Sequence, residues 1–230
     1  MKLILLPGLD GTGLLFEPLL EQLSDACAVQ VIRYSPDQCQ SMQTLAAQVR
    51  EQVVFDSDTV LLAESFSGLV AMELLRQPIP LHSVIFCASF ASAPRPWLLK
   101  LTTVLPLEML FRLPLPNFLL RGLGLNTRLV GLIRQVREQV SPAVLVYRLR
   151  LIAAAQTLVL EKPWDVPCYY WQAADDWAVP ARCAEALRQY FTAVTVTRIQ
   201  QSGHFLLQSQ PVVCAAIIET VRSTPPPDVG

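Results

Sequence analysis

Short apolar runs rich in β-branched residues alternate with longer stretches of helical periodicity along most of this chain. Each run is almost continuously apolar over its middle, as expected of parallel strands that are buried on both faces. This alternation predicts an α/β fold with about six mostly parallel strands flanked by helices. The predicted strands cover residues 2–6, 29–34, 59–63, 83–88, 168–173 and 194–199. The predicted helices cover residues 14–23, 42–54, 67–76, 181–191 and 212–221.

The composition is that of a compact protein with a large apolar interior. Of 230 residues, 52% are hydrophobic and 16% are charged, which excludes a disordered chain. A membrane-spanning helix needs about 20 mostly apolar residues, and charged residues or prolines interrupt every long apolar stretch here. The six cysteines form no Cys-x-x-Cys pair, which predicts buried thiols in a reducing compartment. We therefore expect a cytoplasmic protein without a secretory signal.

One long segment breaks the strand–helix rhythm. Almost eighty residues separate the fourth and fifth predicted strands, and they contain helical spacing punctuated by prolines but no strand-like run. A connection of that length is uncommon unless it has a function. We predict a helical lid at residues 91–159, inserted into a core formed by residues 1–90 and 160–222. Three consecutive prolines predict a flexible tail at residues 223–230.

The predicted lid is basic, whereas the rest of the chain is acidic. Residues 91–162 contain ten Lys or Arg and three Glu, and the remainder contains eight basic and sixteen acidic residues. Such asymmetry suggests an acidic carrier protein or an anionic membrane surface as partner, and the net charge of −1 gives no reason to expect nucleic acid. The alternative is that these side chains only keep an apolar insertion soluble. The candidate binding residues are Arg121, Arg134, Arg137 and Arg148.

Ser65 stands at a strand–turn–helix junction between small residues, with Ala63 and Ser67 two positions to either side. A serine nucleophile in a strained turn, the nucleophile elbow, needs small flanks because large side chains would clash across the turn. The usual pattern is Gly-x-Ser-x-Gly, and both glycines are replaced here. Taken alone, the motif is equally consistent with Ser65 as the N-cap of the helix.

The order of further polar residues along the chain favours the nucleophile. A serine triad at a sheet edge runs in the order serine, acid, histidine. His204 follows the last predicted strand, and Asp175 and Asp176 follow the strand before it. All of these positions lie at the carboxyl edge of the sheet, where open α/β sheets place their sites.

The loop after the first strand contains three glycines in six residues: Gly8, Gly11 and Gly13. Glycines let the backbone approach a ligand closely. We expect the amide N–H groups of Leu9 and Phe66 to form an oxyanion hole. The alternative is a phosphate-binding turn, although the spacing matches neither the dinucleotide nor the Walker pattern.

Four segments together resemble the α/β-hydrolase superfamily over nearly the whole chain: residues 6–13, 63–68, 176–180 and 202–205. The resemblance implies an α/β-hydrolase fold with Ser65 as nucleophile, His204 as base and Asp176 as the orienting acid. Asp176 is favoured over Asp175 because the family's acid lies four residues before the proline of a Val-Pro pair, here Pro180. The resemblance also implies acyl transfer without a metal or an organic cofactor.

The expected activity is that of a carboxylic ester hydrolase. The chain resembles the esterases that cleave pimeloyl-acyl-carrier-protein methyl ester in size, lid placement and basic lid character, and it resembles plastid acyltransferases in its glycine loop. A thioesterase or an acyltransferase would use the same triad. The alternative from another class is a non-catalytic protein that uses the hydrolase fold to bind a ligand or a membrane surface.

Overall fold

The computed structural model describes residues 2–99, 102, 105–113 and 125–223. Six parallel strands form one sheet in the order β2-β1-β3-β4-β5-β6. This confirms the predicted α/β-hydrolase sheet. The strands are β1 (Lys2–Leu6), β2 (Ala28–Val31), β3 (Thr59–Glu64), β4 (Ser83–Cys87), β5 (Cys168–Ala173) and β6 (Val194–Ile199).

Helices cover both faces of the sheet. A short 3₁₀ turn at Leu14–Phe16 precedes the first α-helix. The helices of the core are α1 (Glu17–Leu20), α2 (Met42–Gln52), α3 (Ser67–Leu74), α8 (Arg182–Leu187), α9 (Leu206–Ser209) and α10 (Pro211–Ser223). The helices between β4 and β5 are α4 (Pro96–Leu99), α5 (Leu107–Arg112), α6 (Thr127–Gln139) and α7 (Pro142–Ala154).

Two apolar layers hold the helices on the sheet. On one face, α2, α3 and α8 pack Leu45, Leu69 and Leu187 against the strands. On the other face, α1 and α10 pack Leu19 and Ile218 against them. Every residue of the central strands β3 and β4 is buried, which explains why these strands have no polar alternation in the sequence.

Several predicted boundaries are wrong. The predicted helix at residues 14–23 is a 3₁₀ turn followed by one α-helical turn, and Gly13 precedes them in the left-handed conformation with a φ of 75°. Strand β2 ends at Val31, and the backbone N–H of Tyr34 bonds instead to Gly11 of the glycine loop. The predicted helix at residues 181–191 ends at Leu187. The predicted tail lies outside the described residues from position 224 onward.

A third apolar cluster joins the inserted helices to each other and to the core. Leu129, Leu132 and Val136 of α6 pack with Val144 of α7 and with Leu15 of the core. Its edge is completed by partly buried side chains that belong to the sheet's carboxyl end, Leu9 and Phe205. The inserted helices therefore pack at the end of the sheet where the polar motifs lie.

The helices and the cysteines can also be compared with what the sequence predicts. Within the described ranges, no helix combines the length and the apolar character needed to cross a membrane. No disulfide joins any of the six cysteines, all of which are described. Five of them are buried as predicted, whereas Cys39 is exposed.

Candidate active site

Ser65 occupies the turn between β3 and α3 with a φ of 47°. Positive φ is uncommon for a residue with a side chain, and the surroundings must hold it in place. The Ser65 backbone N–H donates to Cys87 O at 3.0 Å, and the Ser89 hydroxyl donates to Ser65 O at 2.6 Å. The Ser65 side chain does not cap α3, whose N-cap residue is Phe66. The geometry is thus that of a nucleophile elbow, and the N-cap alternative is wrong.

The small residues near Ser65 are buried and closely packed. Ala63 is fully buried in β3. The Ser67 hydroxyl donates to Pro7 O and lies 2.6 Å from Tyr34 Oη. A Cβ at Gly68 would lie 2.0 Å from Ser89 Oγ, so only glycine fits there. Serine at position 67 therefore replaces the usual glycine and ties the elbow to the loop after β1.

His204 connects Ser65 to an acid. Its Nε2 lies 3.0 Å from Ser65 Oγ, and its Nδ1 lies 3.0 Å from Asp176 Oδ2. An ionised carboxylate only accepts hydrogen bonds, so Asp176 selects the tautomer that carries its proton on Nδ1. Nε2 is then left as the acceptor for the Ser65 hydroxyl proton. The structure brings together the three side chains that the sequence singled out.

The second carboxylate oxygen of Asp176 is also satisfied. Asp176 Oδ1 accepts the backbone N–H groups of Ala178 and Val179, both at 2.8 Å. These bonds fix the carboxylate in the turn after β5, and its side chain is only 3% exposed. Asp175 is exposed, and its backbone N–H donates to Ser202 O. The structure therefore places Asp176, and not Asp175, on the imidazole.

The glycine loop has the features needed for an oxyanion hole. Gly11 N–H donates to Gly8 O at 3.1 Å, closing a turn around Leu9. Within the described part of the chain, neither the Leu9 nor the Phe66 amide N–H donates a hydrogen bond to another residue. Asp10 Oδ2 accepts the amide and the hydroxyl of Thr12, so a carboxylate occupies the interior of the loop. A carboxylate in that position argues against the phosphate-binding alternative.

A buried carboxyl group that the sequence did not single out lies directly before Ser65. Glu64 is buried, and its Oε1 accepts a hydrogen bond from Gln208 Nε2 at 2.9 Å. Burial, with a smaller contribution from the nearby Asp10, raises the pKa of Glu64 to about 7 against the lowering effect of Gln208 and His204. Glu64 therefore holds a proton in the folded protein at pH values where an exposed glutamate has lost it.

This proton makes stability depend on pH. Between about pH 4.5 and pH 7 the folded state keeps a proton that the unfolded chain releases, so the free energy of unfolding falls as pH rises. Glu64→Gln should remove this pH dependence, so its free energy of unfolding should rise relative to that of wild type by roughly 2.5 kcal/mol between pH 5 and pH 8, at 1.36 kcal/mol per pKa unit. Urea unfolding at pH 5, 6.5 and 8 measures the difference, with the exposed Glu51→Gln as control. Parallel pH profiles for wild type and Glu64→Gln would contradict the buried proton.

The four arginines selected from the sequence have different surroundings. Arg134 is exposed on α6. Arg137 donates to Phe111 O at 2.6 Å and to Leu113 O at 2.5 Å, which holds the C-terminal end of α5 against α6. Arg121 lies outside the described residues.

Arg148 contradicts its predicted role. It is 2% exposed, and its guanidinium donates to Leu9 O, Asp10 O and Ser35 O. A side chain buried against three carbonyls adds nothing to a basic surface, so the prediction that it binds an anionic partner is wrong. In the sequence, nothing distinguishes this buried arginine from the exposed arginines of the same segment.

Two aromatic rings lie beside the imidazole of His204. Trp177 and Phe205 each place their ring centroid 6.0 Å from that of His204, edge-on. Trp177 is 61% exposed, which is unusual for so large an apolar side chain. In the sequence, Trp177 directly follows the candidate acid Asp176, and this position predicts that its ring lies near the site.

In the described ranges, no three His, Cys, Asp or Glu side chains are grouped so that they could hold a metal ion. A cavity of about 350 Å³ lies between α5 and α7, and its walls include Met109, Arg112, Val146 and Arg150. Ser65 does not line it, so this cavity is separate from the serine–histidine pair.

Structural comparison finds the same fold in solved enzymes. The RedJ thioesterase from the prodiginine pathway of Streptomyces coelicolor is 22% identical, with a TM-score of 0.71 over 96% of this chain and 85% of that one. A thermophilic esterase from Thermogutta terrifontis is 17% identical, with a TM-score of 0.77 over 97% and 91% of the two chains. An esterase from Exiguobacterium antarcticum is 13% identical, with a TM-score of 0.73 over 97% and 92%. At these identities the likeness shows the fold alone.

Sequence comparison gives the family. Among curated proteins, no sequence matches this chain. The model of the "Alpha/beta hydrolase family" matches residues 3–217, which is nearly the whole chain. This match agrees with the six-stranded parallel sheet and with the order of Ser65, Asp176 and His204 along it. The chain belongs to the alpha/beta hydrolase family.

Proposed function

We propose that this protein is a serine hydrolase that cleaves acyl esters through an acyl-enzyme formed on Ser65. The observation that carries the proposal is the continuous hydrogen-bonded chain from Ser65 Oγ through His204 to Asp176, with 3.0 Å at each step. A histidine that accepts from a serine hydroxyl and is oriented by a carboxylate is the arrangement that activates a serine. Ligand binding alone would require none of these contacts.

Acylation follows from this geometry. Nε2 of His204 takes the hydroxyl proton as Ser65 Oγ attacks the acyl carbon, and the carbonyl π electrons move onto its oxygen. The amide N–H groups of Leu9 and Phe66 stabilise that oxyanion, and one such donor contributes about 3–4 kcal/mol to the transition state. When the intermediate collapses, the bond to the leaving group breaks, and the imidazolium returns its proton to the leaving oxygen or sulfur.

Deacylation repeats the same steps with water. Nε2 removes a proton from water, the hydroxide oxygen attacks the acyl carbon, and Ser65 Oγ leaves with the proton that His204 returns. The product is a carboxylic acid and the free enzyme. Asp176 stays ionised throughout and stabilises the imidazolium that forms in each half-reaction.

A thioester is the second candidate substrate. Structures with this fold include both esterases and thioesterases, among them a thioesterase of a biosynthetic pathway. Oxygen and sulfur leaving groups use the same nucleophile and the same oxyanion donors, so the triad does not separate them. An acyltransferase would differ only in the acceptor that attacks the acyl-enzyme.

The basic insertion supports an acyl group carried on an acidic partner, such as pimeloyl-acyl-carrier-protein methyl ester. Arg134 is exposed on α6, and the insertion as a whole is strongly basic. Arg128 pairs with Glu17 and Glu21, and Arg137 donates to backbone carbonyls, so part of the positive charge is engaged within the protein itself. An anionic membrane surface would be recognised by the same charge.

A matched substrate panel tests the proposed function. We expect p-nitrophenyl esters from acetate to octanoate to be turned over, and a fluorophosphonate to label Ser65 alone, as identified by peptide mass spectrometry. Acyl-coenzyme A thioesters of the same chain lengths compare sulfur with oxygen leaving groups, and added alcohols reveal acyl transfer. A methyl ester on an acyl carrier protein, assayed at low and high salt, tests the acidic partner.

The panel also distinguishes the non-catalytic alternative. A protein that binds anionic vesicles but gives neither turnover nor phosphonate labelling would be a binding protein on a hydrolase fold. Labelling at a residue other than Ser65 would reject the assignment of the nucleophile. Equal salt dependence for the carrier-bound and the small neutral esters would reject the acidic partner.

A further inference from the structure

Arg148 lies on the inserted helix α7, yet its guanidinium is buried against the loop that follows β1. Its Nη1 donates to Leu9 O at 2.9 Å and to Asp10 O at 2.7 Å, and its Nη2 donates to Ser35 O at 2.9 Å. The guanidinium also lies over the ring of Tyr34, 5.6 Å from its centroid. One side chain of the insertion thus holds two segments of the core at once.

Attachment of the insertion does not by itself call for a buried cation. The apolar cluster formed by α6, α7 and Leu15 already joins the insertion to the core. Arg128 makes a second link through ion pairs with Glu17 and Glu21 at the surface. Burial of the Arg148 guanidinium costs solvation and lowers its pKa, with partial compensation from Asp10. Because packing alone does not require this solvation cost, we looked to the contacts of the guanidinium for the role of Arg148.

The contacts of Arg148 fix the orientation of the candidate oxyanion loop. Gly8 O is held by Gly11 N–H, and the next two carbonyls, those of Leu9 and Asp10, are held by Arg148. Because the peptide unit is planar, a fixed Gly8 carbonyl also fixes the Leu9 N–H on the opposite side of the same plane. Three consecutive carbonyls are therefore restrained around the one amide that must point at the oxyanion.

The loop is shaped to receive this guanidinium. Gly11 has a φ of 72°, and a Cβ on it would lie 2.5 Å from Arg148 Nη1. Glycine at this position thus allows both the left-handed turn and the close approach of the arginine. The planar fork of arginine can reach carbonyls of two segments simultaneously, whereas a lysine ammonium is a single compact donor group.

We propose that Arg148 is a positioning residue for acyl transfer: from the insertion, it holds the loop after β1 so that the Leu9 N–H stays directed at the developing oxyanion. The inference rests on the proposed function, because it assigns a role within that reaction. The insertion would then support the oxyanion hole directly, in addition to covering the end of the sheet. A displacement of about 1 Å in such a donor is enough to lower a rate by about a hundredfold.

The test compares Arg148→Met and Arg148→Lys with Arg128→Met, which also loosens the insertion but does not touch the loop. Active sites are counted by fluorophosphonate titration, so that kcat refers to reactive Ser65 only. We expect Arg148→Met to lower kcat per titrated site about 10- to 100-fold while KM changes less than about twofold. Arg148→Lys should be intermediate, and Arg128→Met should keep the wild-type kcat at a lower melting temperature.

A second readout reports the oxyanion hole itself. An alkyl boronic acid forms a tetrahedral adduct on Ser65 that places an oxygen in the oxyanion position. Its inhibition constant should rise in Arg148→Met by the same factor by which kcat/KM falls, since both measure complementarity to the tetrahedral state. A merely structural role would lower the titrated fraction and the melting temperature without this correlation.

The outcomes separate the two proposals. If wild type is active but Arg148→Met has normal kcat and boronate affinity per titrated site, Arg148 is only a structural residue. If Arg148→Met does not fold, the same criterion applies to Arg148→Lys, which retains the charge. If wild type neither reacts with the phosphonate nor turns over any ester or thioester, the proposed function fails and the positioning role falls with it.

Discussion

Ser65→Ala is expected to lower kcat for ester hydrolysis by about a million-fold, the scale measured when a triad serine is removed. The reason is that the hydroxyl bonded to His204 Nε2 is the only atom from which an acyl-enzyme could form at this elbow. Alanine keeps the Cβ and therefore the same backbone restraint at a φ of 47°. The lost hydrogen bond is partly solvent-exposed, so the free energy of unfolding should change by less than about 1 kcal/mol.

Ser67→Ala is the matched control for this substitution. The Ser67 hydroxyl is fully buried and bonds to Pro7 O and to Tyr34 Oη, and not to the imidazole. Its loss should destabilise the fold by about 1–3 kcal/mol, because a buried donor and acceptor lose their partner. Turnover by Ser67→Ala should stay far above that of Ser65→Ala, because the triad is intact.

Initial rates with a p-nitrophenyl ester and thermal unfolding give both quantities for each variant. The expected pattern is a loss of activity without loss of stability for Ser65→Ala, and the reverse for Ser67→Ala. Ester turnover in Ser65→Ala above about 1% of wild type, with no trace of wild-type protein by phosphonate titration, would mean that another group is the nucleophile.

The centre of the sheet could be predicted from the sequence because β3 and β4 are buried on both faces. In β1, β5 and β6 the predicted bounds agree with the structure. The region after β1 was predicted less well. There, Gly13 precedes the 3₁₀ turn in the left-handed conformation and provides no side-chain cap. The spacing of apolar residues does not reveal the backbone conformation of a single residue, so the helix start could not be placed correctly.

The candidate triad could be predicted because chain order and strand ends locate its members. The role of Arg148 could not. Helix α7 is apolar at most positions, so its periodicity does not say whether Arg148 or Arg150 faces the core. Only the rotation of the helix against the loop after β1 buries Arg148 and leaves Arg150 exposed. The burial of Glu64 could not be predicted either, since a charged residue at the end of a strand usually faces solvent.

The two neighbouring aspartates after β5 allow a sharp test of the acid. Asp176→Asn should lower kcat by about ten-thousand-fold, the scale found when a triad aspartate becomes asparagine. Asp175→Asn is the matched control, because Asp175 is exposed and contributes only its backbone N–H to Ser202 O. Its kcat should stay within about twofold of wild type.

The direction of the Asp176→Asn effect follows from its backbone partners. The Ala178 and Val179 N–H groups both donate to Oδ1, so they require an oxygen there and would orient the new amide with its NH₂ group toward His204 Nδ1. Nδ1 would then have to accept, which moves the ring proton to Nε2 and leaves no acceptor for the Ser65 hydroxyl. The loss should therefore appear in kcat, with the fold intact and phosphonate labelling of Ser65 slowed in proportion. A greater loss in Asp175→Asn than in Asp176→Asn would reverse the assignment of the acid.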